Sequence, residues 1–371
     1  MLGKIISARC DPNYKSLFFE HSPYIDSDLY FFSLGRDALL SGLIELGIQK
    51  GDTIIMPAYM CKSSIRPLQS YGFNVLFIDI GNNLELPIDE IENNLIKNHN
   101  IKALLVVHYF GFMQNIDRIV NICNEFNVKV IEDSSHSFLS KLIRSTKYPQ
   151  SDIEIFSMRK SLPVADGGAL RINGKKYSEI KIQEDDFLSL SSDLKYLFFR
   201  LLEKIATTLS FNIYGESITN LKMKLRENKD NQNLVLNYKA SKPSIMLKKY
   251  LSNDKYLKDT KNKIINNFNQ LIQALQSFGF KVHIESTVGS NVPQACIVYD
   301  LNGGLVDYLR SNGIGAWQWP GDEMPDEILQ KKSLYPNSIF FDKNIVLIPI
   351  HQTLSKRQIN YMIKVLSKWK I

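Results

Sequence analysis

Lys160 stands in the run Ile155-Phe-Ser-Met-Arg-Lys-Ser-Leu-Pro-Val-Ala-Asp-Gly-Gly-Ala-Leu170. Upstream, Asp133 closes the apolar run Val128-Lys-Val-Ile-Glu-Asp133 and is followed by Ser-Ser-His136. A carboxylate at the end of a buried strand and a lysine past the next strand suit pyridoxal 5'-phosphate (PLP) chemistry. The lysine forms the Schiff base, and the acid keeps the pyridine nitrogen protonated so that the ring draws electrons. A lone lysine is ordinarily a solvated surface residue. Here Ser157 precedes it and Asp166-Gly-Gly168 follows, and glycines let backbone come close to a ligand. Asp133 taken alone reads equally well as a helix cap or a solvated strand-end acid. His136 reaches the phenolic oxygen of PLP, lies over the ring, or satisfies local hydrogen bonds.

Further candidates surround these. Ser33-Leu-Gly35-Arg36-Asp37 opens the first long helix, whose unpaired amides and positive dipole end suit a phosphate together with the Ser157 hydroxyl. Asp37 is equally a first-turn acid that favours the dipole. His108 ends an apolar strand and is either a cofactor or substrate contact or a buried structural histidine. Tyr59 and Cys61 follow Pro57, where a side chain would cover the face of the ring. Cys61 reads otherwise as a small buried hydrophobe.

These side chains converge only if strands and helices alternate, and the sequence has that pattern. Candidate strands are 53–56, 75–79, 103–109, 128–132, 154–157 and 169–172, with amphipathic stretches at 36–46, 63–71 and 116–126 between them. Alternation with near-continuous apolar strands predicts a mostly parallel sheet covered on both faces, an α/β class in which ligands bind at the strands' carboxyl ends. Pro57, His108, Asp133 and Ser157 all fall at such ends. Residues 193–214 read as an amphipathic helix, packed on the core or a subunit partner or lying on a membrane surface. Residues 224–242 read as a loop. A polar helix over 254–278, short strands at 282–284, 295–299 and 345–349, and a terminal helix over 355–369 make the last third a smaller α+β domain. The boundary is drawn between 1–240 and 241–371.

With 371 residues, the chain has room for two domains; 44% hydrophobic and 22% charged residues are ordinary for a globular protein. The net charge of +7 is dispersed, a mild bias toward anionic ligands rather than nucleic acid. Four scattered cysteines (Cys10, Cys61, Cys123, Cys296) without a CxxC pair suggest reduced thiols in the cytoplasm, and no metal centre is expected. The amino terminus has too short an apolar stretch for a signal peptide, and no uncharged run is long enough to span a membrane.

The chain resembles the DegT/DnrJ/StrS-type sugar aminotransferases, a branch of the fold-type-I PLP enzymes. The resemblance rests on Gly35-Arg-Asp-Ala-Leu39, Gly51-Asp-Thr-Ile-Ile-Met-Pro57, Val107-His-Tyr-Phe-Gly111, Ile131-Glu-Asp-Ser-Ser-His136, Phe156-Ser-Met-Arg-Lys160 with Asp166-Gly-Gly168, and Leu347-Ile-Pro-Ile-His351. It implies a mostly parallel seven-stranded sheet in a large domain and a smaller C-terminal domain. It also implies Lys160 as the PLP lysine, Asp133 on the pyridine nitrogen, His136 beside the ring, and Ser157 with Gly35 and Arg36 on the phosphate. Three departures mark a divergent subgroup: Arg36 stands where the family has a threonine, which keeps the amide contact but changes the side chain's contribution, and two more follow. Ser157 lies two residues closer to the lysine than is usual, and the aromatic that normally stacks on the ring falls on Cys61, so stacking passes to His136 or Tyr59.

The resemblance further implies transamination. An amino acid, glutamate, converts PLP to pyridoxamine 5'-phosphate, which aminates a keto-sugar carried on a nucleotide diphosphate, as in bacterial surface-polysaccharide synthesis. Arg36, Arg159 and the basic residues of 222–249 are candidates for the diphosphate, and a cytoplasmic homodimer with shared active sites is expected. Alternatives are another carbanion reaction on a sugar, such as dehydration, or a non-catalytic PLP-binding homologue. The dehydratase branch replaces the lysine with histidine, which Lys160 opposes. The roughly 30 residues before the first motif are too few for a regulator's DNA-binding helix-turn-helix. No GxGxxG opens the first strand–helix unit, which disfavours a dinucleotide enzyme.

Overall fold

Short runs of Val, Ile and Leu bounded by Gly, Asn and Asp form the strands, and amphipathic stretches between them form the covering helices. In chain order the elements are β1 (Leu29–Phe32), α1 (Gly35–Glu45), β2 (Thr53–Pro57), α2 (Lys62–Tyr71), β3 (Asn74–Ile78), α3 (Ile88–Lys97), β4 (Ile101–Val107), α4 (Asp117–Glu125), β5 (Lys129–Asp133), α5 (Phe138–Lys141), β6 (Ile153–Ser157) and β7 (Gly168–Ile172). Then follow β8 (Glu184–Asp185), α6 (Leu190–Leu209), β9 (Ala240–Ser241), α7 (Ile245–Leu251), α8 (Asp254–Ser277), β10 (Ala295–Tyr299), α9 (Leu305–Ser311), α10 (Asp326–Gln330), α11 (Pro336–Asn344), β11 (Ile345–Pro349) and α12 (Lys356–Leu366). The structure is a computed structural model, and it describes residues 6–12, 29–141, 151–173, 184–185, 190–209, 239–284, 286–287, 289 and 291–370. The part of the expected loop at 224–238, the expected helix beyond 209, and the basic residues of 222–238 lie outside the described residues.

The main sheet runs β3-β2-β4-β5-β6-β7-β1-β9-β8. β2 to β6 are parallel, and β7 lies antiparallel between β6 and β1. The expected seven strands are there, and two two-residue strands, β9 and β8, extend the edge beyond β1. β10 and β11 form a separate antiparallel pair whose bounds coincide with the sequence expectation. The strand expected at 282–284 is reduced to one bridge, Val282 to Val298, before the chain turns away. The terminal helix starts as predicted: the Ser355 hydroxyl accepts from the Gln358 amide, and the Gln358 side chain answers the Ser355 amide.

Register decides what faces what. Glu132 pairs with Glu154, and Asp133 pairs with Ile155 on one side and Val107 on the other. Side chains alternate across a sheet, so Asp133, Ile155 and Ser157 share one face while Glu132 and Glu154 share the other.

Behind that second face lies a buried ionic cluster. Lys141 bridges Glu132 and Glu154, Arg171 Nη1 donates to Glu154 at 3.1 Å, and the Ser151 and Ser134 hydroxyls complete the two carboxylates. Two carboxylates against an ammonium and a guanidinium leave no net charge in the strands' interior.

Gly168 fixes how closely α1 approaches the sheet. A Cβ there would lie 2.3 Å from the Leu34 backbone carbonyl, directly ahead of α1. Gly168→Ala is therefore expected to lower stability by about 3 kcal/mol and to weaken PLP binding, checked by denaturant melts and cofactor titration.

Candidate active site

The carboxyl ends of β2, β4, β5 and β6 open into one cleft, as parallel sheets of this class arrange. Asp133 ends β5, and its Oδ1 accepts from the Ser135 amide at 2.8 Å, which fixes the carboxylate's direction. Lys160 follows β6 on a short turn. It remains open to solvent, yet protein walls crowd it, and that crowding lowers its ammonium pKa against the pull of Asp133 and Cys61. The cleft is open to water at this amine, and water softens the effect of the crowding. The loop after the lysine is braced from the C-terminal part: Gln352 Nε2 donates to the Ser161 carbonyl at 3.1 Å. At the far end of the loop the Asp166 carboxylate accepts from the Ser244 amide, and burial raises its pKa.

Lys160 and His136 act on each other electrostatically. The lysine charge and, first, burial hold the His136 imidazole well below its usual range, so it is neutral. Its Nδ1 accepts from the Phe110 amide at 3.3 Å, which leaves the proton on Nε2 and makes the outer edge of the ring a donor. Phe110 stacks on this imidazole at 5.4 Å and 14° while holding a left-handed backbone, φ 53°. A bulky residue keeps such a conformation only where its surroundings enforce it, which is a feature of functional sites.

The start of α1 has free amides and nearby hydroxyls that suit a phosphate. The Gly35 and Arg36 amides belong to the first turn, which a helix does not use internally. A Cβ on Gly35 would lie 3.4 Å from the Ser135 hydroxyl, 3.4 Å from Ser157 Cβ and 3.2 Å from the Phe156 carbonyl. Glycine thus lets the helix end approach two hydroxyl residues. Arg36 and Arg159 add positive potential here, yet burial still pushes the neighbouring Asp37 carboxyl up to about 6. A bound phosphate would push it further, so Asp37 is at its mildest when protonated.

Three expected contacts differ. His108 is fully buried with both ring nitrogens engaged: Nε2 on Glu132 at 2.7 Å, and Nδ1 accepting from the Gln114 amide at 3.1 Å. The alternation that puts Val107 beside Asp133 turns His108 to the Glu132 face, away from the cleft. Tyr59 is also fully buried; its hydroxyl donates to the Trp319 carbonyl and its ring meets Trp319 edge-on at 4.8 Å, so it supports a wall rather than covering a ring. Cys61 does lie in the cleft, within reach of the charges of Lys160 and Asp133, but burial pushes its thiol up to about 12 and keeps it un-ionised. It is no nucleophile at neutral pH.

Two residues that the sequence reading did not name stand beside these groups. Ser135 lines the start of α1, and Trp319, from the stretch after β10, stands edge-on to His136 at 5.0 Å and to Phe110 at 5.7 Å. Trp319 thereby adds an aromatic wall behind His136 and Phe110. Trp319→Ala is expected to weaken PLP binding roughly tenfold, while Trp319→Phe keeps most of it, read from absorbance titrations.

The donor set fits PLP: an amine whose pKa is lowered by its crowded surroundings, a strand-end carboxylate, a neutral imidazole donor, and a helix amino end flanked by hydroxyls and arginines. A cavity of about 230 Å³ between α2 and α10, lined by Lys62, Arg66, Asp326 and Glu327 among others, lies apart from this chemistry. Its lining pairs two cations with two anions, so it carries no net bias toward an anionic ligand.

Comparison with known proteins agrees. The sequence model of the DegT/DnrJ/EryC1/StrS aminotransferase family matches residues 31–184. Among curated relatives, the GDP-perosamine synthase of Escherichia coli O157:H7 is 30% identical over 146 residues, 38% of this chain and 40% of that protein. A UDP-4-amino-4,6-dideoxy-N-acetyl-beta-L-altrosamine transaminase of Campylobacter jejuni is 30% identical over 149 residues, 39% of each. The chain thus spans about two fifths of the length of these relatives. Among solved structures, a DegT DnrJ EryC1 StrS aminotransferase from Brucella abortus superposes with a TM-score of 0.61 at 17% identity, covering 95% of this chain and 86% of that one. The E. coli GDP-4-keto-6-deoxy-D-mannose-3-dehydratase with bound hydrated PLP superposes at 0.58 and 18% identity, covering 95% and 89%. These likenesses give this chain the fold of the PLP-dependent fold-type-I enzymes. The span that the family model matches, residues 31–184, carries the Lys160, Asp133 and His136 of the cleft.

Proposed function

We propose that this chain is a PLP-dependent aminotransferase that moves an amino group from an amino acid, glutamate, to a keto-sugar carried on a nucleotide diphosphate, in bacterial surface-polysaccharide synthesis. The observation that carries the reading is the meeting of Lys160, Asp133 and His136 in the cleft that also holds the start of α1. PLP when bound supplies an electron sink for the carbanion at the substrate carbon. Lys160 holds the cofactor and then, as a free amine, takes the proton from the substrate carbon and returns it. Asp133 keeps a proton on the ring nitrogen, the His136 Nε2–H donates toward an oxygen at the ring edge, and Gly35, Arg36, Ser135 and Ser157 grip the phosphate. Arg36 and Arg159 lie beside that grip and suit an acceptor's anionic groups.

Residues 1–240 and 241–371 serve in this reading as a large cofactor lobe and a smaller one, in a cytoplasmic homodimer. The deciding experiment mixes purified protein, PLP and glutamate with a panel of nucleotide-linked and free keto-sugars. Glutamate-dependent amination supports the proposal; glutamate that fails to bleach the visible band, with no amination, overturns it. GDP-4-keto-6-deoxy-D-mannose 3-dehydratases also match part of the chain, that of Yersinia pseudotuberculosis at 30% identity over 95 residues. The same panel is therefore scored for loss of a sugar hydroxyl, which Lys160 disfavours.

A further inference from the structure

Residues 6–12 form a strap laid across the C-terminal part and the loop that carries Lys160. The Ile6 amide donates to the Gly313 carbonyl at 2.7 Å, and the Gly315 amide donates back to the Ile6 carbonyl at 2.7 Å. His351 Nε2 donates to the Ser7 carbonyl at 3.0 Å, and the Asp11 amide donates to Thr353 Oγ1 at 3.0 Å. A Cβ on Gly315 would lie 2.6 Å from the Ala8 amide nitrogen, so glycine there is what lets the strap lie so close. Cys10 is buried, and its thiol faces the Ser161 carbonyl at 3.8 Å, one residue beyond Lys160. The neighbouring Arg9 side chain is exposed instead. The strap thus delivers Arg9 to the mouth of the cleft, where its charge acts on Lys160.

An exposed arginine is ordinarily just solvated, but this one is held by a fixed strap against a reactive amine, and two neighbouring cations disfavour each other. The acid nearest Arg9 in sequence, Asp11, is engaged by Arg200 at 3.1 Å, and Arg9 forms no ion pair among the described residues. Arg159, another guanidinium near Lys160, also acts on Asp37 at the start of α1, which sets it on the phosphate side; Arg9 acts on Lys160 and on Tyr196 of α6. We propose that Arg9 receives the α-carboxylate of the amino donor, an inference that rests on the donor of the proposed reaction being an α-amino acid. The reacting carbon of such a donor bears the carboxylate directly, so the cation that serves it must neighbour the amine that moves the proton. A guanidinium offers a carboxylate two parallel N–H donors, which orients the reacting carbon as well as holding it. The acceptor's diphosphate is separated from its keto carbon by the sugar ring, so it falls farther from Lys160 than a donor's carboxylate does.

The test compares wild type, Arg9→Gln and Arg9→Lys, each a full chain loaded with PLP, in separate half-reactions. For Arg9→Gln, the glutamate concentration that half-saturates bleaching of the visible band should rise about 10- to 100-fold, the range for a lost charged hydrogen-bond pair. The half-saturating keto-sugar concentration, measured on the pyridoxamine form, should stay at the wild-type value, and Arg9→Lys should recover much of the loss for glutamate. Visible absorbance and melting temperature of both variants should match wild type, as suits an exposed side chain. An unchanged half-saturation for glutamate overturns the proposal. So does a loss confined to the keto-sugar half, which would assign Arg9 to the acceptor's phosphates. Calorimetry with glutarate, a dicarboxylate with no amine to react, separates this inference from the reaction itself. If no amino acid bleaches wild type, the aminotransferase reading fails. Weaker glutarate binding to Arg9→Gln than to wild type would then still mark a carboxylate site at Arg9, and equal binding would remove it.

Discussion

Lys160→Ala is expected to remove the visible absorbance of lysine-linked PLP and to lower amination on the order of 10⁴-fold, the range for loss of a positioned acid–base group. The structure explains the size. The amine stands in a crowded cleft that lowers its pKa below the ordinary 10.5, so more of it is the free base at a given pH. The sign follows for wild type: a depressed lysine pKa means that the rate should climb with pH as Lys160 gives up its proton, reaching half-height below 10.5. Stopped-flow absorbance across pH, read on wild type and variant side by side, checks both statements. A variant that retains the shifted band would assign the linkage to another lysine.

Asp133→Asn should bind PLP yet turn over about 10³-fold more slowly. At about 4 Å and an effective dielectric near 20, the carboxylate's attraction for a protonated ring nitrogen amounts to about 4 kcal/mol, and each 1.36 kcal/mol is a decade in rate. The amide is nearly isosteric and still accepts from the Ser135 amide, so the geometry of the β5 end should survive. The checking measurement is single-turnover rate against cofactor affinity. A fall in affinity equal to the fall in rate would point to lost folding of the cleft rather than to lost charge.

Much of the sheet could be read from sequence because each parallel strand is buried on both faces and so leaves an unbroken apolar run. β10 and β11 have the bounds that their apolar runs suggest, and Asp133 and Ser157 fall at strand ends as read. β1 escaped because Leu29-Tyr-Phe-Phe32 is only four residues long and abuts the start of α1. His108 was readable with more care. Counting alternation from Val107, paired with Asp133, turns it to the other face, and the histidine's partner Glu132 is the neighbour of Asp133 in sequence. Trp319 carried a weaker signal, two tryptophans within Trp317-Gln-Trp-Pro320, with nothing local to say what they meet. Its partners His136 and Phe110 are brought to it by tertiary packing alone. The inward face of α6 was equally beyond periodicity: spacing reveals that a helix has two faces, but only the contacts of Asp193 with the Met246 amide and of Arg200 with Asp11 say which one points in.

The neutral ionic cluster behind β5 constrains how this sequence can drift. Changing Lys141 alone would strand Glu132 and Glu154 facing each other in the dark, a loss of about 3–5 kcal/mol, whereas exchanging the whole set for hydrocarbon of matching volume could be borne. Positions 132, 141, 154 and 171 are thus expected to change together or stay still, and relatives that lack one of them should lack the others.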